Sequence, residues 1–413
     1  MQKTVVKKRK LPNGIRLILT EDHSSPIISV SLYANGGTRY ETFNNAGVSH
    51  FCQEMLLKGT NGRNNIKLSK DLEFLGADIE PFTSKDSMGL SMNILSRNFI
   101  EGFDIFLDVV ASPAFKQDEI EKTRKIILAN IYNSMDNVTE FCKDECDKAL
   151  FQNHPYSMLI SGSFESVARI NRRNLVNWHK NFYSPDNLVI SIVGDFKTEY
   201  VEEHIVEKLK MTKLRNVERP ASPFAELPIG KRQVIIERDK KQVVMCLGFF
   251  APDINSDDYP AFEVLEHLLS GMSSRLFIEL RDNYGLAYMV DADYEAYLDT
   301  GVFKVFLGTS PDKLELAESI LIQELNKLKY KELTNKELET YKRYLLGLKS
   351  IQEQRKASKA SDYAYHELVG RGFNYSCEFS AAVNKITPRH IREIADKYID
   401  MENCAFAVIK PKA

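Results

Sequence analysis

The apolar positions alternate between two periods along the chain. Gly14-Ile15-Arg16-Leu17-Ile18-Leu19 reads as a strand, a polar turn follows, and Ile27 to Tyr33 alternates as a half-buried strand should. The spacing then changes to that of helices over Val48 to Leu57 and Lys67 to Leu75. A strand pair surrounds Ala77 to Leu95, and longer helical stretches run from Phe99 to Val110 and Gln117 to Ser134. A helix from Arg172 to Phe182 and a strand from Leu188 to Val193 complete this half.

The order of elements then repeats. Ile170-Asn171-Arg172-Arg173-Asn174-Leu175, followed by Phe182, Asn187 and the strand Val189 to Val193, returns 216 residues later. There it reads Ile386-Thr387-Pro388-Arg389-His390-Ile391, followed by Tyr398, Asn403 and Ala405 to Ile409. Asn171 and Thr387 are helix caps by residue type. Glu119-Ile120-Glu121 matches Glu337-Leu338-Glu339, where Thr334 and Glu337 have capping-box spacing. Gln53 to Gly59 matches Leu265 to Gly271. Three collinear matches at nearly one offset predict an α+β fold: two tandem homologous domains, each a mainly antiparallel sheet packed with helices, facing each other across a cleft. The expected boundaries are 1–212 and 231–413. The segment 213–230, with Arg219-Pro220-Ala221-Ser222-Pro223 and Pro228-Ile229-Gly230, has linker chemistry.

Composition narrows the function classes. The 413 residues carry a formal charge of −2, so no global basic field recruits nucleic acid or anionic lipid. The basic N-terminus has no apolar core and does not read as a secretory signal, and no apolar run reaches bilayer-spanning length. The expected location is the cytoplasm of a bacterial-type cell. The cysteines, Cys52, Cys142, Cys146, Cys246, Cys377 and Cys404, are scattered and read as reduced, mostly buried thiols. Cys142 and Cys146, with His154 beyond them, lack a fourth ligand for a structural zinc site.

The segment Gly47-Val48-Ser49-His50-Phe51-Cys52-Gln53-Glu54-Met55-Leu56-Leu57-Lys58-Gly59-Thr60 resembles the signature helix of the pitrilysin/insulinase family of zinc peptidases. Gly76-Ala77, Thr83-Ser84-Lys85-Asp86, His154-Pro155-Tyr156 with Gly162, and Phe182-Tyr183 with Asn187 extend the resemblance over nearly the whole chain. The family pattern is H-x-x-E-H: two His four apart bind zinc, and the Glu activates a zinc-bound water. A further Glu ligand follows about 76 residues after the second His in that family pattern. Here His50 matches the first ligand, Gln53 stands at the general base, Glu54 at the second His and Asn130 at the distant Glu. A neutral amide takes no proton from water near neutral pH, and Asn130 is a poor zinc ligand.

A second block, Ser273 to Tyr288, holds Arg281 and Tyr288 seven residues apart. The resemblance implies that such a pair holds substrate and supports the tetrahedral intermediate, which suits a guanidinium and a phenol. It also implies dimers in which one subunit supplies the zinc helix and the other this pair. The expected function is therefore a non-catalytic subunit that pairs with a zinc-binding homologue, lends it Arg281 and Tyr288, and holds peptide extended near Ala77 to Thr83. Zinc is expected in the partner and no cofactor in this chain. Alternatives are a structural or assembly subunit, a peptide-binding homodimer, and a weak metallopeptidase using His50 and Glu54.

Overall fold

The computed structural model describes residues 6–212, 214–222 and 226–412. The N-terminal residues 1–5, and residues 213 and 223–225 of the expected linker, lie outside the described residues. The strands are β1 (Val6–Lys10), β2 (Arg16–Glu21), β3 (Ile27–Asn35), β4 (Asp78–Thr83), β5 (Ser87–Leu95), β6 (Leu188–Gly194), β7 (Arg232–Arg238), β8 (Val243–Ala251), β9 (Met289–Ala296), β10 (Gly301–Thr309) and β11 (Cys404–Pro411). They form two sheets, ordered β1-β2-β6-β3-β5-β4 and β7-β11-β8-β10-β9. With helices packed on both, the fold is α+β with two domains of one design.

The internal repeat is visible in register as well as in order. In the first sheet β2 and β6 are parallel, aligning Arg16 with Val189. In the second β7 and β11 are parallel, aligning Arg232 with Ala405. The other pairings are antiparallel in both sheets. The caps expected at the repeated helix starts are also formed. Asn171 accepts from the Asn174 amide, Thr387 from the His390 amide, and Thr334 and Glu337 close a reciprocal box.

Two compact units result, but they cut the chain differently from the halves 1–212 and 231–413. The first comprises residues up to Ile131, Met158 into the linker, and Ser350–Ser376. The second comprises Tyr132–Ser157, the chain from after the linker to Lys349, and the segment from Cys377 onward. Helix Val138–Phe151 therefore covers β8 and β11 of the second sheet, and helix Lys356–Leu368 covers β3 and β6 of the first.

The two exchanged helices occupy equivalent places in the repeat, 218 residues apart, and bury equivalent faces. Cys142, Cys146 and Leu150 face one core; Ala360, Ala364 and Leu368 face the other. The cysteines thus stand where the other helix has alanines. Cys142 Sγ lies 3.5 Å from the carbonyls of Val244 and Ala407, and Cys146 Sγ 3.6 Å from that of Ala405. They are small apolar packing residues that let a helix lie close on a sheet. Five of the six cysteines are buried and Cys377 is exposed; all are free thiols. Among the described residues no helix is long and apolar enough to cross a membrane.

Candidate functional site

Helix Val48–Leu56 carries His50, Gln53 and Glu54. Its own N-cap, Gly47, has no side chain to offer, so the orphan amides of the first turn need another acceptor. Glu41 supplies it. One carboxylate oxygen accepts from the Gly47 amide at 2.7 Å and the other from the Ser49 amide at 2.8 Å. Glu41 is fully buried, and burial pushes its pKa up to about 7, against the pull of the two amides and of Lys85. Ser49 Oγ in turn accepts from the Gly37 amide at 3.2 Å. The start of the helix is thereby fastened to the loop before it.

His50 and Glu54 lie one turn apart, both partly buried. Burial lowers the imidazole pKa and the Glu54 charge pulls it back. Gln53 is different: it is 1% exposed, and both ends of its amide are engaged. Nε2 donates to the Phe82 carbonyl at 3.2 Å, and Oε1 accepts from the Tyr183 hydroxyl at 2.7 Å. Tyr183 is fully buried and stacks on His179, whose Nε2 lies 2.8 Å from the Val110 carbonyl. Burial pushes the His179 pKa down to about 4, so the ring is neutral and Nε2–H donates to that carbonyl. The residue at the general-base position is thus a structural tie between the helix, strand β4 and the end of helix Arg172–Phe182.

Asn130 lies on helix Gln117–Ser134, which buries Ile120, Thr123, Ile127 and Ile131 and leaves Asn130 exposed. Arg124 of the same helix lies over the Phe51 ring, 5.4 Å from its centroid, and so touches the site helix. Zinc in a peptidase of this type needs three protein donors and an open position. The corresponding residues here offer one imidazole, one carboxylate and a neutral amide. Among the described residues no three His, Cys, Asp or Glu side chains are grouped to hold a metal ion. This donor set does not fit a zinc-peptidase centre, and Gln53 has no proton-accepting nitrogen or carboxylate to offer.

Strand β4 is the edge of its sheet, next to the site helix. The Ser84 amide donates to the Ser87 carbonyl at 2.8 Å, and the register pairs Phe82 with Gly89. Even-numbered residues of β4 therefore turn their amides to β5, and Ile79, Pro81 and Thr83 turn theirs outward. Pro81 has no N–H to offer at an outward position, as edge strands tolerate. The Thr83 hydroxyl is buried and has no hydrogen-bond partner.

Arg281 and Tyr288 belong to the second unit. Arg281 sits in a π-helical turn, Ile278–Asn283, where the Tyr284 amide reaches back to the Glu279 carbonyl. Its guanidinium is exposed and lies 4.8 Å from the centroid of the Phe277 ring. Tyr288 is 44% exposed; its amide donates to the Gly308 carbonyl at 3.1 Å. The ring end lies against Gly308, where an added Cβ would come to 2.3 Å from a ring carbon. Burial raises the phenol pKa. Gly308 therefore fixes where Tyr288 stands.

The sequence pattern does not reveal Glu41 or the Phe82 carbonyl, and it picks out Tyr183 only within the resemblance, without its bond to Gln53. Of the first two, only Glu41 leaves a trace, as an acidic residue ahead of a helix whose cap position is glycine.

Comparison with known proteins agrees with the two-domain fold. The family model described as insulinase (peptidase family M16) matches residues 16–162. The model described as peptidase M16 inactive domain matches residues 169–345. The chain is 26% identical to the uncharacterized zinc protease YmxG of Bacillus subtilis, over 98% of each chain. It is 23% identical to the probable mitochondrial-processing peptidase subunit beta of Arabidopsis thaliana, over 97% of this chain and 77% of that one. Among solved structures it is similar to a protease from Helicobacter pylori, with a TM-score of 0.91 at 21% identity over 99% of this chain and all of that one. It is likewise similar to a peptidase M16 inactive domain from Pseudomonas fluorescens, with a TM-score of 0.90 at 22% identity over 99% and 98% of the two chains.

Proposed function

Because the chain belongs to the insulinase family, peptidase family M16, we propose that it is a non-catalytic subunit of a cytoplasmic zinc metallopeptidase. It pairs with a homologous subunit whose zinc motif is intact, binds peptide in extended form, and contributes Arg281 and Tyr288 to that partner's reaction. The observation that carries this reading is Gln53: a buried amide, hydrogen-bonded at both ends, where the family's reaction needs a base. An Arabidopsis relative named as a peptidase subunit supports a subunit role for such a chain.

The roles follow from ordinary chemistry. Peptide adds to the outward amides of β4, giving main-chain hydrogen bonds without demanding a sequence. Arg281 presents donors to a carbonyl or developing oxyanion, and Tyr288 adds a hydroxyl donor. Water activation and metal binding belong to the partner.

The test is co-expression with the homologue from the same cell that carries the intact motif, with cleavage assayed for each chain alone and together. The pair should cleave and this chain alone should not. Arg281→Ala or Tyr288→Phe should lower the pair's kcat about 10- to 100-fold, as for loss of a transition-state donor. If both substitutions leave the pair unchanged, the chain is an assembly subunit. A partner fully active alone that never binds this chain excludes the pairing. Stoichiometric zinc with cleavage by the isolated chain excludes the non-catalytic reading itself.

A further inference from the structure

Beside Tyr288 the second unit has a half-open pocket of about 490 Å³. Pockets of roughly 300–1,000 Å³ are the size that seats small ligands and single side chains. Lys240 and Lys241 stand on its rim, in the turn that joins β7 to β8. Val244 and Met289 give it an apolar floor. The only acidic side chain on its wall is Asp136, itself 76% exposed and 4.0 Å from Lys240.

Three features point to the occupant. Two lysines and one aspartate line the pocket, so its lining has a residual positive charge. Asp136 is exposed and its contact with Lys240 is long, so it neutralises that lysine weakly. The half-exposed Tyr288, held on Gly308, adds a phenol whose raised pKa keeps it a hydrogen-bond donor. An apolar floor under a cationic rim with a hydroxyl donor suits a group with a short aliphatic stem and a carboxylate head.

We propose that this cavity is a specificity subsite for a carboxylate of the bound peptide, either a Glu or Asp side chain or the C-terminus. The proposal rests on the peptide-binding reading above and adds the substrate class: acidic peptides. Lys240 and Lys241 determine the preference, and Tyr288 lines the same pocket.

The probe is a set of fluorescein-labelled decapeptides of one neutral sequence, measured by anisotropy with the full-length chain. One carries Gln throughout and a C-terminal amide. A second series places Glu at each position in turn and keeps the amide. A third keeps Gln and has a free C-terminal carboxylate. At least one Glu peptide, or the free-carboxylate peptide, should bind about three- to tenfold tighter than the neutral one at low salt. The series that gains identifies the source of the carboxylate. The preference should shrink at about 0.5 M salt, where surface charges are screened. It should vanish in Lys240→Gln/Lys241→Gln, whose unchanged circular dichroism and melting temperature would show an intact fold. Equal binding of all peptides overturns the subsite and leaves peptide binding standing. A preference that survives the double substitution overturns this location. No binding by any peptide overturns both readings.

Discussion

At the scale of single residues, Gln53 carries the proposal that this chain does not itself cleave peptide. Its Nε2 donates to the Phe82 carbonyl, so Gln53→Glu would set a carboxylate oxygen against that oxygen in a buried place. The substitution should cost about 1–3 kcal/mol in urea unfolding, the size of a buried unsatisfied group. It should bring no peptide cleavage, because Glu54 and Asn130 would still stand in place of ligands. His179 offers a test by pH. Its ring is held neutral, with a pKa of about 4 against an ordinary 6.5, so between these values the unfolded chain binds the extra proton. Stability from this group is present above pH 6.5 and is lost as pH falls through the window, by about 3 kcal/mol near pH 4. In His179→Gln that component of the pH dependence should be absent when stability at pH 7 and 4.5 is compared with the parent chain. His50, Gln53 and Glu54 were legible in the sequence because Gly47 to Thr60 resembles the family's signature helix; helical spacing alone says only which side chains share a face. The bond from Tyr183 was not, since it meets Gln53 across 130 residues of chain. Glu41 was not either, because a cap donated from a loop leaves no periodic mark.

At the scale of elements, the fit between helix Val138–Phe151 and the second sheet depends on small atoms at the contact. A Cβ added at Gly248 of β8 would come to 2.7 Å from Cys146 Sγ. Gly248→Ala should therefore destabilise by about 1–3 kcal/mol, as overpacking does. Cys146→Ala alone should cost little, matching Ala364 at the equivalent place in the other exchanged helix. The double variant should recover most of the Gly248→Ala loss, a coupling that urea unfolding of the four chains would measure. The strand pair around Ala77 to Leu95 and the repeated closing helix and strand were readable from alternation and from the matched segments; the strand order was not. The destination of this helix was not. Its apolar stripe, Cys142, Cys146 and Leu150, says that one face is buried, but the same stripe would serve either sheet. Chain connectivity favours the nearer sheet, and the structure uses the other.

At the scale of the whole molecule, the exchange makes the two halves of the chain mutually dependent. Helix Lys356–Leu368 covers Ile18 and Val189 with Ala364 and Leu368. Its first residue, Lys356, donates to the carbonyls of Asp22 and Ser25 at 2.6 Å and of Ile27 at 3.2 Å. Without this helix the apolar face of the first sheet meets water. Uncovering two large aliphatic side chains and the leucine costs roughly 5 kcal/mol at about 1.5–3 kcal/mol each, a large part of a typical domain's 5–15 kcal/mol. The same holds for the second sheet and helix Val138–Phe151, which brings Leu150 and Phe151 to its core. Residues 1–216 and 217–413 expressed separately should therefore be insoluble or should bind the dye ANS. Co-expressed, they should recover a soluble complex with the circular dichroism of the intact chain. Cutting the intact chain within 214–222 should likewise leave the fragments together on gel filtration until denaturant is added. If either half alone unfolded cooperatively in urea with native-like dichroism, the exchanged helices would be ornaments on two independent cores. Reassembly only on co-expression would mean that the duplication that built this chain also made each copy the completion of the other.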